Sequence, residues 1–313
     1  IITPALITGS FAERVRFSSY MLFICLFSVF IYAPLAHWTW HPEGFLGKWG
    51  VLDFAGGTVV HMSAGFAALA GALGLGRRQN HRNGNGHTAP AQVPYVLLGT
   101  GMLWFGWFGF NAGSALEASS AAVMAFLTTN TASAAAMLAW IFYDYLKGRK
   151  PSALGACIGA VVGLVAITPA AGFVSVGASI IIGSLAAVIS NMVVHWKSKS
   201  ALDDTLDVFP CHGVGGIVGM ILTAVFAHEV GLIHGETTTF IYHMAALVIV
   251  SAFTFFGSYA LFKITDMIIP LRVSVEQEIQ GLDLSQHGET LFDRQPVEER
   301  AEFFAEELTA VNY

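Results

Sequence analysis

Residues 151–196 read PSALGACIGAVVGLVAITPAAGFVSVGASIIIGSLAAVISNMVVHW and contain no Asp, Glu, Lys or Arg. A helix needs about 20 apolar residues to cross the hydrocarbon core of a bilayer. This run is therefore long enough for two crossings, and the segment 168–172, Thr-Pro-Ala-Ala-Gly, breaks it near the middle. The stretch predicts an all-α, polytopic helical membrane protein.

Further charge-free runs extend the same pattern along the chain. Only 12% of the residues are charged, against about 25% in soluble domains, which argues against a soluble protein with unusually apolar core helices. We predict a half span at 1–11 and eight full spans, about eight and a half transmembrane helices in total. The full spans are predicted at 18–36, 53–75, 92–114, 118–145, 152–169, 173–196, 207–227 and 238–263.

Arginine and lysine cluster at every second turning of the chain, at 14–16, 77–82, 147–150, 197–199 and 263–272. The intervening turnings hold one cation, Lys48. Cytoplasmic loops carry an excess of positive residues. We therefore expect the clusters and the C-terminus to be cytoplasmic, and 37–52 and 228–236 to face outward.

Two parts are predicted, a transmembrane domain at 1–271 and an acidic cytoplasmic tail at 272–313. Residues 267–313 carry a net charge of −7. The stretch Glu298–Leu308 is either an acidic amphipathic helix or part of a solvated tail. Ile1 to Phe11 is apolar but too short to span, so we expect the chain to begin inside a helix and to be N-terminally truncated.

Two histidines stand inside predicted spans, where ionisable groups are costly and usually mark a pathway or site. Asp53 opens one span and His61 follows eight residues on, while Asp207 opens another and His212 follows five residues on. The two spans run in opposite directions, as in an inverted repeat whose related sites meet near the midplane. Either histidine alone could be a core residue; a facing pair could bind a small uncharged polar molecule or relay a proton.

An aromatic cluster, residues 103–114, ends the span at 92–114, and a second, His37 to Trp40, ends another span. Aromatic belts at membrane interfaces explain part of this pattern. Phe110 and Ser114 are four residues apart and so share a helix face. An aromatic wall with a hydroxyl can hold a small cation.

Metal chemistry finds no support in the sequence. Cys25, Cys157 and Cys211 lie in apolar segments at no spacing typical of zinc. An intramembrane metalloenzyme built on the two histidines would need a further ligand, and no HExxH pattern exists. We expect no metal, no cofactor, no nucleic acid and no enzymatic activity.

Five stretches, in order along the chain, resemble the ammonium transporters of the ammonium transporter/Rhesus superfamily. They are ALITGSFAER (5–14), DFAGGTVVH (53–61), WFGWFGFNAGS (104–114), DVFPCHGVGG (207–216) and GLDLSQHGE (281–289). The resemblance implies an eleven-span inverted-repeat fold in the cell (inner or plasma) membrane, with the N-terminus outside. It also implies a homotrimer with one pore in each subunit.

The resemblance also assigns roles to residues. Trp40, Phe110 and Ser114 match the outer site that recruits ammonium, and Asp53 matches the aspartate that organises the outer entrance. His61 and His212 match the twin histidines of the pore. There the substrate passes as ammonia and the proton travels separately, so that one positive charge is carried.

Two departures from the family pattern affect this assignment. The outer of two stacked gate phenylalanines and about two and a half spans would lie upstream of Ile1, which leaves Phe110 as the inner gate residue. One extra residue separates Trp40 from Asp53, so Trp38 is the alternative aromatic contact.

Two alternative functions are also found within this superfamily. One is an ammonium sensor that conducts little; another is a Rhesus-like neutral channel for ammonia or carbon dioxide, against which the outer Trp and Ser argue. The resemblance further implies that a trimeric PII signal protein docks on the cytoplasmic face, at 77–90 and 272–289.

Overall fold

The computed structural model describes residues 1–82, 90 and 92–290. This part of the chain forms α-helices joined by turns, with one isolated antiparallel bridge between Val15 and Arg272. The helices are α1 (Ile2–Phe11), α2 (Phe17–Phe27), α3 (Ala33–Trp40), α4 (Phe45–Lys48), α5 (Ser63–Leu75), α6 (Gln79–Arg82), α7 (Val93–Ala112), α8 (Ser120–Leu146), α9 (Ala153–Ile167), α10 (Val176–Ser198), α11 (Gly215–Phe226), α12 (Thr238–Ile268) and α13 (Val275–Gln280). Single π-helical turns lie at Ser28–Tyr32, Gly57–Met62, Phe209–Val214 and Asp283–His287. The predicted all-α class is confirmed.

Among the described residues, seven helical stretches are long and apolar enough to cross a membrane. They are Phe17–Lys48, Gly57–Leu75, Val93–Ala115, Ser120–Leu146, Val176–Ser198, Phe209–Phe226 and Thr238–Ile268. Ile2–Phe11 and Ala153–Ile167 are apolar but shorter. Each predicted span thus has its helix, and the polytopic membrane fold is confirmed.

The predicted span at 152–169 is a helix of only 15 residues, Ala153–Ile167. Its start is fixed by Ser152, whose hydroxyl accepts the Gly155 amide at 3.0 Å. At its end the Thr168 amide turns back to the carbonyl of Val165 at 3.2 Å. Pro169 has no amide hydrogen with which to continue the helix, so the chain turns at this point.

Small residues pack α8, α9 and α10 closely together. A Cβ atom added to Gly183 would lie 2.2 Å from the carbonyl oxygen of Ala132, and one added to Gly163 would lie 2.6 Å from the same atom. Small residues let membrane helices approach until their backbones touch. These three helices support the segment 168–172 and, through it, the interior described below.

A buried charge network joins three turns at one end of the helices. Arg14, fully buried, donates to the carbonyls of Ser10 at 3.0 Å and Asp203 at 2.6 Å. Arg78 pairs with the carboxylates of Asp203 at 3.0 Å and Glu13 at 2.7 Å. Burial, opposed by Asp203, lowers the pKa of Arg14 to about 10, so the guanidinium stays charged at neutral pH. All three turns belong to the regions predicted to be cytoplasmic.

The chain divides into two compact units, 1–273 and 274–313. In the second unit, Ser274 caps α13 in a capping box with Gln277. The predicted amphipathic helix Glu298–Leu308 lies outside the described residues, as do residues 83–89 of the predicted docking loop. The predicted domain boundary at 271/272 stays a prediction.

Candidate functional site

Two histidines, 151 positions apart in the sequence, meet in the interior. His61 lies in the π-helical turn before α5 and His212 in the one before α11. Both are buried, with 1% and 8% of their surface exposed. Their Nδ1 atoms are 3.2 Å apart, with ring centroids at 5.4 Å. At this distance one Nδ1 donates its proton to the other, which makes the predicted pair a single hydrogen-bonded unit.

Asp53 fixes the start of the helix that carries His61. Its Oδ1 accepts the amides of Gly56 at 2.8 Å and Gly57 at 2.6 Å. Its Oδ2 accepts the amide and the hydroxyl of Thr58, at 2.7 Å and 2.5 Å. A carboxylate here satisfies the unpaired amides of a helix start and suits their partial positive charge. The carboxylate of Asp53 therefore organises the backbone.

Asp204, and not Asp207, holds the start of the helix that carries His212. The Asp204 carboxylate accepts the amides of Val208 at 3.1 Å and Phe209 at 2.7 Å. Asp204 precedes His212 by eight residues, the spacing that also separates Asp53 from His61. Asp207 instead pairs with Lys197, with Nζ and Oδ1 2.6 Å apart.

Glycines let the two helices approach until the histidines touch. A Cβ atom on Gly65 would lie 2.2 Å from the amide nitrogen of Gly213, and one on Gly216 would lie 3.2 Å from that of Met62. Each of these close glycines, Gly65 and Gly216, stands four residues after one histidine and meets the residue directly after the other. This reciprocal contact is the two-fold relationship expected of an inverted repeat.

Aromatic side chains of α7 flank His61. The ring of Trp107 stacks on it at 5.3 Å and 15°, and that of Phe110 lies tilted at 6.1 Å. A cavity of about 430 Å³ borders this cluster. It is lined by Ile2, Val60, His61, Gly99, Met102, Leu103, Gly106, Trp107 and Phe110. Such apolar surroundings strongly favour uncharged over charged species.

A third polar residue, Thr168, joins the histidine pair and was not predicted. Its Oγ1 lies 3.3 Å from His61 Nε2 and accepts the indole N–H of Trp107 at 2.9 Å. Its hydroxyl donates to the carbonyl of Leu164 at 2.7 Å. The sequence identified Thr168 only as the start of a helix break, and Trp107 only as part of an aromatic motif.

The two candidate tryptophans occupy different surroundings. The Trp40 indole donates to the backbone carbonyl of Asp53 at 2.9 Å and is 43% exposed. Trp38 packs its ring against Phe45 and Phe253, at 5.2 Å and 4.5 Å between centroids. This arrangement favours Trp40 as the tryptophan that faces an incoming molecule beside Asp53.

The three residues of the predicted outer site fall into two groups. Ser114 donates its hydroxyl to the Phe110 carbonyl at 2.8 Å, which leaves the oxygen lone pairs free to accept from a cation. Phe110 reaches towards His61. Within the described part of the chain, no hydrogen bond or ring contact joins Trp40 to either of them.

Two further ionisable residues of the spans hold the fold together. His243 is fully buried; it donates from Nδ1 to the Met220 carbonyl at 3.0 Å and accepts the Leu52 amide on Nε2 at 2.9 Å. Asp144, predicted to be interfacial, is buried and accepts from Arg149 at 2.8 Å and Asn191 at 3.0 Å. Both are structural in this arrangement.

We expect Asp204 to make stability depend on pH. Burial raises its pKa to about 6, although Lys197 and the backbone amides favour the charged form. The folded pKa of Asp204 thus exceeds its unfolded pKa of 3.8. The stability that Asp204 contributes is therefore fully present below pH 3.8 and is lost as pH rises through about 6. The difference corresponds to at most roughly 3 kcal/mol.

Thermal unfolding followed from about pH 4 to about pH 7 checks this expectation. The midpoint of the unaltered protein minus that of Asp204→Asn should fall as pH rises, whereas the same difference for Glu43→Gln, at an exposed acid, should stay constant. A constant difference for Asp204→Asn would contradict the assignment.

Comparison with known proteins gives a consistent set of relatives. Residues 1–292 match the model of the Ammonium Transporter Family. A putative ammonium transporter of Methanothermobacter thermautotrophicus is 48% identical over 298 residues, which cover 92% of this chain and 72% of that protein.

Two solved structures are similar in fold. Candida albicans Mep2 superposes with a TM-score of 0.81 at 34% identity, covering 88% of this chain and 64% of the Mep2 chain. A structure described as a sensor Amt protein gives a TM-score of 0.85 at 30% identity, covering 91% of this chain and 74% of that one. The chain thus spans less than two thirds of the Mep2 length.

Proposed function

The chain belongs to the ammonium transporter family, and on that premise we propose that it moves ammonium across a membrane as ammonia and a separate proton. The curated relatives are named ammonium transporters, which supports a transport protein over an enzyme. The observation that carries the proposal is the buried pair His61 and His212, joined at 3.2 Å between Nδ1 atoms. This pair lies beside an apolar, aromatic cavity.

Selectivity follows from the dryness of this interior. Ammonium, like a lysine amine, is protonated at neutral pH, and moving any ion into a low-dielectric medium costs several kcal/mol even after relaxation. Potassium carries the same charge but has no proton to give up. Ammonium can pass by leaving its proton behind, so a dry pore admits ammonia and excludes potassium.

The histidine pair supplies a route for the proton that ammonium leaves. Each neutral imidazole has one donor and one acceptor nitrogen. A proton taken up on one ring lets the shared Nδ1 proton pass to the other, which then releases its own. One positive charge therefore crosses with each ammonia molecule, although no charged molecule traverses the apolar cavity.

Recruitment is proposed to occur at Trp40, Phe110 and Ser114. The exposed Trp40 ring offers a face for cation–π attraction, and the Ser114 oxygen offers lone pairs to an N–H donor. Asp53 holds the helix start and the Trp40 indole through its backbone carbonyl. A homotrimer, a cytoplasmic C-terminus and docking of a PII protein at 77–90 and 272–289 remain proposals.

Trp40→Leu is expected to raise the ammonium concentration that gives half-maximal transport by about two- to fivefold, on the scale of a cation–π contact at an exposed site. Trp38→Leu serves as the control, because Trp38 packs in the core; it should lower the unfolding temperature and leave that concentration unchanged. Concentration series of transport in proteoliposomes measure both. The reverse pattern would assign the outer contact to Trp38.

A sensor that conducts little is the second candidate, favoured by the structural likeness to the sensor Amt protein. Solid-supported membrane electrophysiology on the reconstituted full-length protein separates the candidates. A transporter gives current with ammonium pulses and none with potassium. A neutral channel gives ammonia flux without current, and a weakly conducting sensor gives neither; both results would contradict the proposal.

A further inference from the structure

We propose that Thr168 is a positioning residue that decides which ring nitrogen of each pore histidine carries the proton. The three side chains form one chain of contacts, from Thr168 Oγ1 to His61 Nε2 at 3.3 Å and from His61 Nδ1 to His212 Nδ1 at 3.2 Å. What the tautomers imply for transport rests on the proposed function above. The assignment of the proton positions does not depend on that function.

The hydroxyl of Thr168 has one hydrogen and two lone pairs, and the surroundings use all of them. The hydrogen points to the Leu164 carbonyl at 2.7 Å, much the shorter of its two acceptor distances. The Thr168 amide donates to Val165 and so does not serve the Leu164 carbonyl. The Thr168 hydroxyl donates to the Leu164 carbonyl in place of the amide. Turning the hydroxyl away would leave this buried carbonyl without that donor.

Trp107 strengthens this assignment from the other side. Its indole N–H can only donate, and it points at Thr168 Oγ1 at 2.9 Å. One lone pair of the oxygen is thus occupied and the other faces His61 Nε2. The nitrogen opposite a lone pair must carry a hydrogen to make a hydrogen bond, so His61 is protonated at Nε2.

The tautomer of the second ring follows from the first. A neutral His61 with its hydrogen on Nε2 presents a lone pair at Nδ1. His212 must then donate from its own Nδ1 across the 3.2 Å contact, and its Nε2 carries the lone pair. Within the described residues, the only hydrogen bond of the His212 ring joins its Nδ1 to His61. The nitrogen of the pair that is free to accept a proton is therefore His212 Nε2.

This resting arrangement fixes the first transfer of the proposed relay. The unprotonated outer nitrogen is His212 Nε2, so a proton enters there. The shared proton then passes from His212 Nδ1 to His61 Nδ1 across the 3.2 Å contact, and His61 releases its Nε2 proton to an acceptor in the cavity that it lines. One proton enters and one leaves, and the two rings are left with the opposite pair of nitrogens protonated. Rotation of both rings restores the arrangement in which Thr168 accepts from His61 Nε2.

Solid-state nitrogen-15 NMR of the full-length protein in bilayers tests the assignment, because protonated and unprotonated imidazole nitrogens resonate far apart. The protein is labelled on histidine, held at mildly alkaline pH, and the two rings are identified with His61→Gln and His212→Gln. We expect His61 protonated at Nε2 and His212 at Nδ1, the less common neutral form. The opposite pattern in the unaltered protein overturns the proposal.

Two variants test the role of the hydroxyl. Thr168→Ser keeps the hydroxyl and should retain the tautomer pattern, while Thr168→Val should lose the single pattern and show both forms of each ring. An unchanged pattern in Thr168→Val overturns the proposal. Spectra of the unaltered protein are sufficient to determine the proton positions, so these are tested even if a variant misfolds. The spectra do not depend on transport, so a failure of the tautomer assignment is distinguished from a failure of the proposed transport function.

Discussion

Replacing His61 or His212 by alanine is expected to reduce the preference for ammonium over potassium by at least about tenfold, or about 1.4 kcal/mol. Either change removes one half of the 3.2 Å pair and opens space that water can fill. A wetter interior lowers the cost of a bare cation, and a broken pair cannot pass a proton from ring to ring. Ammonium and potassium currents in proteoliposomes measure the effect.

His243→Ala is the matched control, since His243 is equally buried but bonded to Met220 and Leu52. It should lower thermal stability and leave the ammonium-to-potassium ratio as it is. Unchanged ammonium current with unchanged selectivity in both His61→Ala and His212→Ala would remove the proton relay from these residues.

Gly65→Ala is expected to abolish transport and to destabilise the fold, although it adds a single methyl group. That carbon would lie 2.2 Å from the backbone nitrogen of Gly213, and backbone cannot move aside as the end of a side chain can. Overpacking a core costs roughly 1–3 kcal/mol and sometimes more. Separating α5 from the turn Phe209–Val214 also pulls the two imidazoles apart.

The same helix offers a control at Gly74. A Cβ atom there meets only Tyr259, at an ordinary 3.6 Å, and alanine favours the helix by up to about 1 kcal/mol over glycine. Gly74→Ala should therefore retain the unfolding temperature and the ammonium current of the unaltered protein. Gly65→Ala should lower the unfolding temperature and abolish the current. A stable and fully active Gly65→Ala would contradict the close crossing.

The helices could be predicted from the sequence because their signal is local and strong. A run of some twenty residues without charge has few ways to exist other than as a membrane span. The span at 152–169 was overestimated by a few residues for a local reason too. Thr168 and Pro169 close the helix early, whereas the apolar pattern continues.

The choice among acids could not be made from composition. Asp203, Asp204 and Asp207 stand within five residues of each other, and only the fold shows that Asp203 serves Arg78 and that Asp207 serves Lys197. One signal was present and overlooked. The spacing of eight residues from Asp53 to His61 recurs from Asp204 to His212, as a repeat requires.

Thr168 illustrates what sequence reasoning cannot reach. Its contact with His61 spans 107 positions and its contact with Trp107 spans 61. A threonine before a proline has an adequate local explanation as the end of a helix. Its part beside the histidines exists only once α7, α9 and the turn Gly57–Met62 are assembled.

Transport of ammonia together with one proton, and not of ammonia alone, is tested most directly by the ratio of charge to nitrogen transported. Current and accumulated ammonium are measured together on the same proteoliposomes with the full-length protein, under an inward ammonium gradient. We expect one positive charge for each nitrogen in the unaltered protein. Nitrogen uptake without charge would contradict the paired-histidine relay, and so would an equal current with potassium.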